Sequence, residues 1–462
     1  MGIFKACDIR GVYGRDLTDD IVYRIGRALG TLLGNKFVVV GGDVRVSTPV
    51  LKSALTCGLV ESGASVLDVG IIPTPVFYFA RDHLTADAGA MITASHNPPE
   101  FNGLKLVIGP LPITEEELDI IKRLSESGKF TRKKGSIQAV DVISLYKSFI
   151  HSIAPVTSGV RSSKVVIDCG NGCYSTLAPE VFREIGYQVE ELFCTADGSF
   201  PNRDPNTAVP ENLSALRRKV RETKAMLGVA FDGDGDRISF VDNRGRFLTG
   251  DKAISILAKY ILTDVPGGKV VYDLKCSSVV PKTVAEAGGI PIPERSGHTF
   301  IKTRMIEEDA SFGGELSGHY FYRELFGADD GLYSALFMAN LLLETGSNLS
   351  ELADSIPEYA VTPDIRIPFS GDRAEIIERI AAGFPPCDVS RLDGVKVDFP
   401  EGWGLARISV TEPAITFRFE AETQDQLHTI IDRFLESTPE FYEPVMKAAA
   451  KAADNKLPED DT

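Results

Sequence analysis

The stretch KFVVVGGDVR, from Lys36 to Arg45, decides the fold. A lysine precedes a continuous run of apolar residues that breaks at glycine and aspartate. Such runs, bounded by turn residues, indicate strands that are buried on both faces of a parallel sheet. The same arrangement returns in KVVIDCGNG (Lys164 to Gly172) and in KVVYDLKCS (Lys269 to Ser277). Three occurrences of one pattern predict three similar α/β domains with mixed or parallel sheets.

Each of these runs is followed by a predicted helix, and the first two are then followed by a second short strand. The predicted helices are TPVLKSALTCGLVESGA, TLAPEVFREIGY and VVPKTVAEAGG, and the short strands include SVLDVG and QVEELF. Each unit then ends in a polar or glycine-rich loop: MITASHNPPEFNGLK, GVAFDGDGDR or SFGGELSGHY. Ligands of open α/β sheets bind beyond the carboxyl ends of strands, so we expect these loops to meet in a central cleft. Three unrelated surface loops are the alternative.

The pattern changes from about Pro368, where segments such as AITFRFEAE alternate as strands do. TQDQLHTIIDRFLES has helical spacing, with Thr423 as its N-cap. We therefore expect a smaller C-terminal α+β domain. The expected divisions are 1–153, 154–254, 255–366 and 367–450, followed by a frayed tail at 451–462.

Composition and charge restrict the classes of function. The chain has 462 residues and a formal net charge of -16, which disfavours nucleic acid and anionic membranes as partners. No stretch approaches the ~20 apolar residues of a transmembrane helix, and no signal peptide is evident. Seven cysteines without a CxxC pair argue against a disulfide framework or a zinc site and favour the cytoplasm. An anionic small substrate would require a local cluster of basic residues.

The segment DGDGDR carries the sharpest chemical signal. Asp232, Asp234 and Asp236 alternate with glycines, which allow the backbone to curl so that three carboxylates face one point. Oxygen ligands alone suit a hard cation such as Mg²⁺ or Ca²⁺, and a solvated acidic turn is the alternative. Arg237 follows directly as a bidentate phosphate donor. A metal site beside an arginine indicates phosphoryl chemistry.

Ser95 lies in TASHNPPEFNGLK, where Pro98 and Pro99 prevent a helix. A serine hydroxyl is a weak nucleophile unless a base or a metal activates it, or unless it is already phosphorylated. His96 is a candidate base, but adjacent strand residues point to opposite faces, which disfavours direct pairing and leaves a structural role open. Lys105 is a candidate phosphate contact, with a plain surface lysine as the alternative.

Two further segments suggest contacts with a sugar phosphate. In GGELSGH, Glu315, Ser317 and His319 alternate, so an extended loop would present all three to neighbouring hydroxyls. His319 is also a candidate acid or base, or a structural histidine. In RISVTEP, the residues Arg407, Ser409 and Thr411 fit a phosphate clamp, which alone is a weak signal.

Three other segments are weaker still. Arg10 in CDIRG and Lys275 in DLKCSS are basic residues that, taken alone, are more often structural. GNGC after Asp168 lacks the Walker lysine and the GxGxxG spacing, so we interpret it as a structural turn.

The chain resembles the α-D-phosphohexomutases over essentially its whole length. TASHNPPEFNGLK, DGDGDR, GGELSGH and RxSxTEP occur in that order, and the likeness is greatest to the phosphomannomutase/phosphoglucomutase branch. The resemblance implies four domains around a deep cleft. It also implies reversible phosphoryl transfer between O1 and O6 of mannose or glucose phosphates, with hexose 1,6-bisphosphate as intermediate or activator. The implied partners are sugar phosphates, and the implied state is a monomer or homodimer.

The resemblance also implies residue roles. Ser95 would carry the phosphoryl group and join the three aspartates in holding one Mg²⁺ per chain, while Arg237 would steady the phosphoserine. Glu315 and Ser317 would hold sugar hydroxyls. Arg407, Ser409 and Thr411 would bind the distal phosphate. Further basic residues would line the cleft and share proton transfer: Arg10, Lys105, Lys275, His298 and His319.

Two departures from the family pattern are Cys7, where an aromatic residue is frequent, and Val410, where a small or amide residue is frequent. They are the support for a non-catalytic sugar-phosphate-binding paralogue, against which the intact motifs argue. A phosphoglucosamine mutase is a second enzyme alternative, and Leu316 in GELSGH modestly favours the mannose/glucose branch.

Overall fold

The computed structural model describes residues 2–6, 8–154, 160–409 and 413–454, the last four of these through their backbone only. The described residues form four β-sheets, three mixed and one antiparallel, with helices packed on them. This confirms the predicted α/β architecture with an additional C-terminal α+β unit. In the part of the chain that is described, no helix combines the length and apolarity needed to cross a membrane.

The first sheet has the strand order β1-β5-β4-β2-β3-β7, with β6 paired to β5. Strand β2 carries the valine run of KFVVVGGDVR and lies parallel to both of its neighbours, β3 and β4. Strand β5 then returns antiparallel to β4. The elements are β1 (Ile9–Val12), α1 (Asp19–Leu33), β2 (Phe37–Gly42), α2 (Thr48–Glu61), β3 (Ser65–Ile71), α3 (Thr74–His83), β4 (Ala88–Ile92), β5 (Phe101–Ile108), β6 (Leu111–Pro112), α4 (Glu115–Ser127), β7 (Ser136–Ala139) and α5 (Ile143–Ile153).

The second sheet has the order β12-β11-β10-β8-β9. Its central strand β8 is the apolar run of KVVIDCGNG and is parallel to β9 and β10, whereas β11 is antiparallel to β10. The elements are β8 (Lys164–Asp168), α6 (Leu177–Ile185), β9 (Gln188–Leu192), α7 (Ser214–Thr223), β10 (Leu227–Phe231), β11 (Ile238–Val241) and β12 (Phe247–Leu248).

The third sheet has the order β14-β13-β15-β16-β17. Its central strand β13 is the apolar run of KVVYDLKCS and is parallel to β14 and β15, whereas β16 is antiparallel to β15. The elements are α8 (Gly250–Asp264), β13 (Lys269–Asp273), α9 (Val279–Glu286), β14 (Ile290–Glu294), α10 (His298–Glu307), β15 (Phe312–Gly314), β16 (Tyr320–Tyr322), β17 (Ala328–Asp329), α11 (Gly331–Thr345) and α12 (Leu349–Asp354).

The first three sheets therefore share one four-strand unit. The matching orders are β3-β2-β4-β5, β9-β8-β10-β11 and β14-β13-β15-β16, with the same strand directions in each. In every unit, a loop joins the third strand to its antiparallel neighbour. These three loops, residues 93–100, 232–237 and 315–319, contain the three motifs. The predicted repetition is confirmed, and it places each motif at the same position of its unit.

The fourth sheet is antiparallel, with the order β18-β23-β22-β21-β20 and β19 paired to β23. Thr423 caps α14 as predicted, because its hydroxyl accepts a hydrogen bond from the amide of Gln426. Helix α15 reaches Asp454, four residues into the segment that we expected to be frayed. The elements are β18 (Ala360–Val361), β19 (Ile365–Pro368), α13 (Arg373–Ala382), β20 (Val389–Ser390), β21 (Val395–Phe399), β22 (Gly402–Ile408), β23 (Ala414–Ala421), α14 (Gln424–Phe434) and α15 (Tyr442–Asp454).

The apolar core is continuous through the first three sheets, where Val39, Val165 and Val270 belong to one buried cluster. The fourth sheet has a separate core around Phe417. Asp330 joins segments of the first three units, because its carboxylate accepts hydrogen bonds from the Tyr146 and Tyr174 hydroxyls and from the first amides of α11.

The fourth unit contacts the third through apolar and polar groups. Leu274 packs against Trp403 and Leu405 in a small buried cluster. The amide of Ser278 donates to Glu420 at 2.8 Å. The fourth unit therefore has its own core and also packs on the third unit.

Candidate active site

Ser95 lies in the loop between β4 and β5, fully buried, with a left-handed backbone (φ 50°). Its hydroxyl donates to Asp232 Oδ2 at 2.8 Å, which joins the loops of the first and second units. His96 Nδ1 lies 3.4 Å from the same hydroxyl. The expectation that His96 points away from Ser95 was wrong, because the alternation of side chains holds within a strand and β4 already ends at Ile92.

Arg45 holds the Ser95 loop in place by hydrogen bonds to four backbone carbonyls. Its Nη2 donates to the carbonyls of Ser95 (2.8 Å) and Asn97 (2.6 Å). Its Nη1 donates to those of Pro98 (2.6 Å) and Phe101 (3.0 Å). A left-handed conformation is unfavourable for a serine and persists where the surroundings determine it, which these bonds do.

The Arg45 guanidinium is anchored from two sides. Its Nε donates to the fully buried carboxylate of Asp43 at 3.0 Å, and the group lies 5.1 Å from the ring centroid of Phe200 in the second unit. Sequence reasoning missed Arg45, although it ends the first quoted stretch. An arginine directly after a buried strand was the available signal, but its carbonyl partners are about fifty residues away.

The carboxylates of Asp232, Asp234 and Asp236 are buried and offer oxygens within 4.8 Å of one another. Burial and the charges of the other two carboxylates raise the pKa of Asp232 well above its usual range. Burial would also raise the pKa of Asp234, but the Lys105 ammonium lowers it below the usual value. Asp234 Oδ2 additionally accepts from the hydroxyls of Thr74 (2.7 Å) and Thr93 (3.0 Å).

The acidic cluster fits a hard cation. Among the described residues, Oδ1 of Asp234 and Oδ1 of Asp236 are buried without a hydrogen-bond partner. Buried carboxylate oxygens without partners are costly unless a cation or a proton compensates them. An oxygen-only set of this kind suits Mg²⁺ or Ca²⁺ better than a softer metal. The predicted metal ligands are therefore brought together.

Lys105 Nζ reaches the cluster from β5, contacting Asp234 at 3.0 Å and forming an ion pair with Asp236. Burial would lower the pKa of this lysine, but the two carboxylates raise it well above its ordinary value. The two carboxylates therefore favour the charged form of Lys105. Lys105 is therefore buried beside the carboxylates, and the alternative of a plain surface lysine was wrong.

A chain of polar contacts links the second and third loops. Arg237 Nε donates to His319 Nε2 at 2.9 Å. Because a guanidinium only donates, His319 accepts at Nε2 and carries its proton on Nδ1, which lies 2.5 Å from Asp329 Oδ2. Burial lowers the pKa of His319 to about 4. Asp329 was missed by the sequence analysis, because nothing in GADDG marks it as a partner of a histidine.

Glu315 and Ser317 lie in the same loop, before the turn at Gly318 (φ 96°). Within the described part of the chain, Glu315 Oε2 and Ser317 Oγ are buried and have no hydrogen-bond partner. They are available for the hydroxyls of a ligand. His298, at the start of α10, stacks on His319 with ring centroids 5.6 Å apart, and burial lowers its pKa well below the usual value.

Arg10 lies on β1, next to the Ser95 loop. Its Nη1 donates to Asn97 Oδ1 at 2.7 Å and its Nη2 pairs with Asp8 at 2.5 Å. The structure therefore places Arg10 against the residue two positions beyond Ser95. Its neighbour Cys7 lies outside the described residues.

The fourth unit forms a basic cavity of about 170 Å³ with the loop after β13. Lys275 Nζ pairs with Asp364 at 3.2 Å, and Arg407 Nη2 pairs with Asp393 at 2.8 Å. The predicted residues Lys275, Arg407 and Ser409 line one space. Its full lining is Lys275, Asp364, Arg366, Arg407, Ile408, Ser409 and Thr416. Thr411 and Val410 lie outside the described residues.

GNGC is a turn that supports the metal loop. Gly170 (φ 50°) donates to Asp168, whose carboxylate is paired with Arg203 at 3.0 Å. The amide of Cys173 donates to the carbonyl of Gly233, between two of the clustered aspartates, at 3.0 Å. This agrees with the interpretation of GNGC as structural.

Family comparisons cover the chain in four parts. The phosphoglucomutase/phosphomannomutase alpha/beta/alpha domain I matches residues 1–132, domain II residues 146–245 and domain III residues 249–359. The C-terminal domain of the same family matches residues 363–437. These matches do not set the exact limits of the domains, which remain a prediction.

Similar proteins extend over nearly the whole chain. A phosphomannomutase/phosphoglucomutase of Pseudomonas aeruginosa is 38% identical, with 99% of this chain and 97% of that protein covered. One from Pseudomonas syringae pv. tomato is 40% identical over 93% of each. A solved phosphoglucomutase/phosphomannomutase family protein of Burkholderia thailandensis superposes with a TM-score of 0.88 at 35% identity, covering 97% and 98% of the two chains. The chain therefore belongs to the phosphoglucomutase/phosphomannomutase family.

Proposed function

We propose that the protein is an isomerase that moves a phosphoryl group reversibly between O1 and O6 of mannose or glucose phosphates. Phosphorylated Ser95 gives its group to the free hydroxyl, which produces hexose 1,6-bisphosphate. That intermediate turns over in the cleft, and its other phosphate returns to Ser95. The relatives named phosphomannomutase/phosphoglucomutase and phosphoglucomutase support this activity.

The contact of Ser95 Oγ with Asp232 is the observation that carries the proposal. The Ser95 hydroxyl lies at the edge of a buried cluster of three carboxylates, which supports its role as the nucleophile. His96 Nδ1 lies 3.4 Å from the same hydroxyl, but burial lowers the pKa of His96 well below its usual value, which makes it a weak base. A serine so placed is suited to carry a phosphoryl group whose charge a cation offsets.

We propose Mg²⁺ as that cation, one per chain, held by Asp232, Asp234 and Asp236 and by the phosphorylated Ser95. When bound, it would neutralise negative charge on the transferring phosphoryl group. Arg237 lies beside this cluster as a further donor for phosphate oxygens.

The third loop and the cavity of the fourth unit would hold the sugar phosphate. We assign the free oxygens of Glu315 and Ser317 to sugar hydroxyls, because both are buried and without partners in the described residues. The distal phosphate would bind in the cavity lined by Lys275, Arg407 and Ser409, with Thr411 as a further proposed contact. Binding energy from this distal phosphate can orient the reacting hydroxyl.

Proton transfer falls to groups that are neutral at the start of the step. His319 and His298 are neutral imidazoles at pH 7, since burial lowers both pKa values. Lys105 is a cation whose raised pKa suits charge stabilisation rather than proton acceptance. We therefore assign the base to the histidine pair, in which His319 would accept a proton at Nε2 once Arg237 leaves that atom for a phosphate oxygen. We assign phosphate or carboxylate contacts to Lys105 and Arg10.

A coupled assay tests the proposal. Wild-type protein should convert glucose 1-phosphate and mannose 1-phosphate faster than glucosamine 1-phosphate, and Ser95→Ala should abolish both conversions. Preference for glucosamine 1-phosphate would make the protein a phosphoglucosamine mutase. Binding of sugar phosphate without turnover of any of the three would make it a non-catalytic paralogue.

We further propose that the protein acts in the cytoplasm as a monomer or homodimer. The six cysteines of the described segments are free thiols, which fits a reducing compartment.

A further inference from the structure

Two thiols of the second unit lie in contact. Cys169 directly follows β8 and Cys194 lies two residues beyond β9, the parallel neighbour of β8. Their sulfur atoms are 3.3 Å apart. A disulfide has an S–S distance of about 2.05 Å, so an approach of roughly 1.2 Å would be needed to bond them.

The two thiols differ in access and in chemistry. Cys169 is fully buried, whereas Cys194 is half-buried. Cys194 Sγ also lies 3.4 Å from the carbonyl oxygens of Ile167 and Leu192. Its contact with Cys169 lowers the pKa of Cys194, while burial raises the pKa of Cys169. A partly exposed thiol in contact with a second thiol that can resolve its sulfenic acid is the arrangement of redox-sensor sites.

We propose that Cys194 and Cys169 form a peroxide-reactive dithiol whose oxidation to a disulfide reversibly slows the enzyme. The Cys194 thiolate attacks a hydroperoxide, the O–O bond breaks, and a sulfenic acid and an alcohol or water result. The Cys169 thiol then attacks the sulfenic sulfur, forming the S–S bond, and water leaves with the Cys169 proton. The net reaction consumes one hydroperoxide and releases one water and one alcohol, or two waters from hydrogen peroxide.

The backbone around Cys169 connects this dithiol to the metal loop. The carbonyl of Cys169 accepts from the amide of Gly172, and the next amide, that of Cys173, donates to Gly233 O. The turn packs closely on the metal loop, because a Cβ added to Gly172 would lie 2.8 Å from Gly233 O. Gly233 lies between the first two of the clustered aspartates.

The segment around Cys194 is tied to the same turn. The amide of Asn171 donates to the carbonyl of Phe193 at 2.9 Å, and its side chain donates to Thr195 O at 2.8 Å. Movement of Cys194 toward Cys169 would therefore pull on both sides of the turn that supports Gly233. A misplacement of about 1 Å in catalytic groups costs up to roughly 100-fold in rate.

The disulfide itself does not depend on the proposed function; only its effect on turnover does. The test uses full-length protein carrying Cys57→Ser and Cys387→Ser, which removes two exposed thiols that would react independently. After hydrogen peroxide treatment, intact mass should fall by two hydrogens and peptide mapping should join Cys169 to Cys194. Mutase turnover should fall by roughly ten- to 100-fold and return with dithiothreitol.

Cys194→Ser in the same background is the control. It should retain untreated activity, because Cys194 touches none of the proposed catalytic residues, and it should resist peroxide. Cys169→Ala tests the second step: Cys194 should then stop at the sulfenic acid, detectable with a sulfenic-acid-specific probe. Failure to find the Cys169–Cys194 bond after peroxide would overturn the proposal. So would full activity of the bonded enzyme, or equal inactivation of Cys194→Ser. If the wild type has no mutase activity at all, mapping of the bond still decides the redox site, and the proposed function fails separately.

Discussion

Replacement of Arg45 by methionine tests whether the Ser95 loop is held by one guanidinium. The variant keeps an unbranched side chain of similar length but removes the charge and every hydrogen bond. Four carbonyls of the loop lose their donor, and the buried carboxylate of Asp43 loses its cation.

The expected loss of folding stability follows from removal of the buried cation alone. Both side chains of the Arg45–Asp43 pair are fully buried, with no exposed fraction. Removal of one partner of such a pair costs about 3–5 kcal/mol, because the remaining charge is left uncompensated. Displacement of Ser95 by about 1 Å would in addition lower kcat by up to roughly 100-fold. We expect Arg45→Lys to lie between the wild type and Arg45→Met, since it restores the charge but not the fork of donors.

Two measurements check this expectation. Hydrogen exchange followed by mass spectrometry should show faster exchange in the peptide covering residues 91–105, and glucose 1-phosphate kinetics should show the fall in kcat. Arg27→Met is the matched control in the same unit. Its guanidinium bonds Ser62, Glu61 and the carbonyl of Thr131, and the Glu61 side chain is 56% exposed. That control should alter stability without changing kcat.

Wild-type exchange in residues 91–105 together with wild-type kcat in Arg45→Met would refute the reasoning. Hydrogen exchange that rises equally across all peptides would also count against the reasoning, because Arg45 bonds the backbone of one loop only in the interactions described. If Arg45→Met does not fold, Arg45→Lys supplies the same comparison.

The other predictions concern the phosphoryl group, the cation and the distal phosphate. Purified protein should carry phosphate on Ser95, which intact mass and peptide mapping can check. Stoichiometric phosphate on another residue, together with an active Ser95→Ala variant, would contradict the proposed mechanism. Chelation should abolish turnover, and Asp234→Asn should raise the Mg²⁺ requirement because it replaces one of the three charged ligands with a neutral amide. Full activity of that variant in excess chelator would reject the metal. Arg407→Ala should weaken sugar phosphate binding more than tenfold, about 1.5–3 kcal/mol, with little change in melting temperature. Arg391→Ala is the control, because Arg391 forms an exposed ion pair with Glu378 in the same unit. It should leave kcat/KM unchanged, and equal kcat/KM in both variants would contradict the role of Arg407 in binding the distal phosphate.

The sheets could be predicted because their signal is local. A run such as FVVVGG (Phe37–Gly42) has no charged or polar side chain, and the structure buries five of these six strand residues between helices and neighbouring strands. The meeting of the loops was predictable for a topological reason, since equivalent connections of repeated units lie at equivalent ends of their sheets.

The supporting contacts could not be predicted, because their partners are distant in sequence. Asp329 and His319 meet across the β16–β17 hairpin, and Arg203 reaches Asp168 from 35 residues away. The proximity of Ser95 to His96 depends on one backbone angle that sequence periodicity does not report. Polar contacts of this kind depend on the tertiary fold and produce no periodic pattern in the sequence.

The division of the apolar core has a consequence for thermal unfolding. Because one buried cluster runs through the first three units, they should melt together in a single cooperative transition. The fourth unit has its own core and should show a separate endotherm in calorimetry. A sugar phosphate that contacts Lys275 on one side and Arg407 on the other would bridge the two melting units and bring their transitions together.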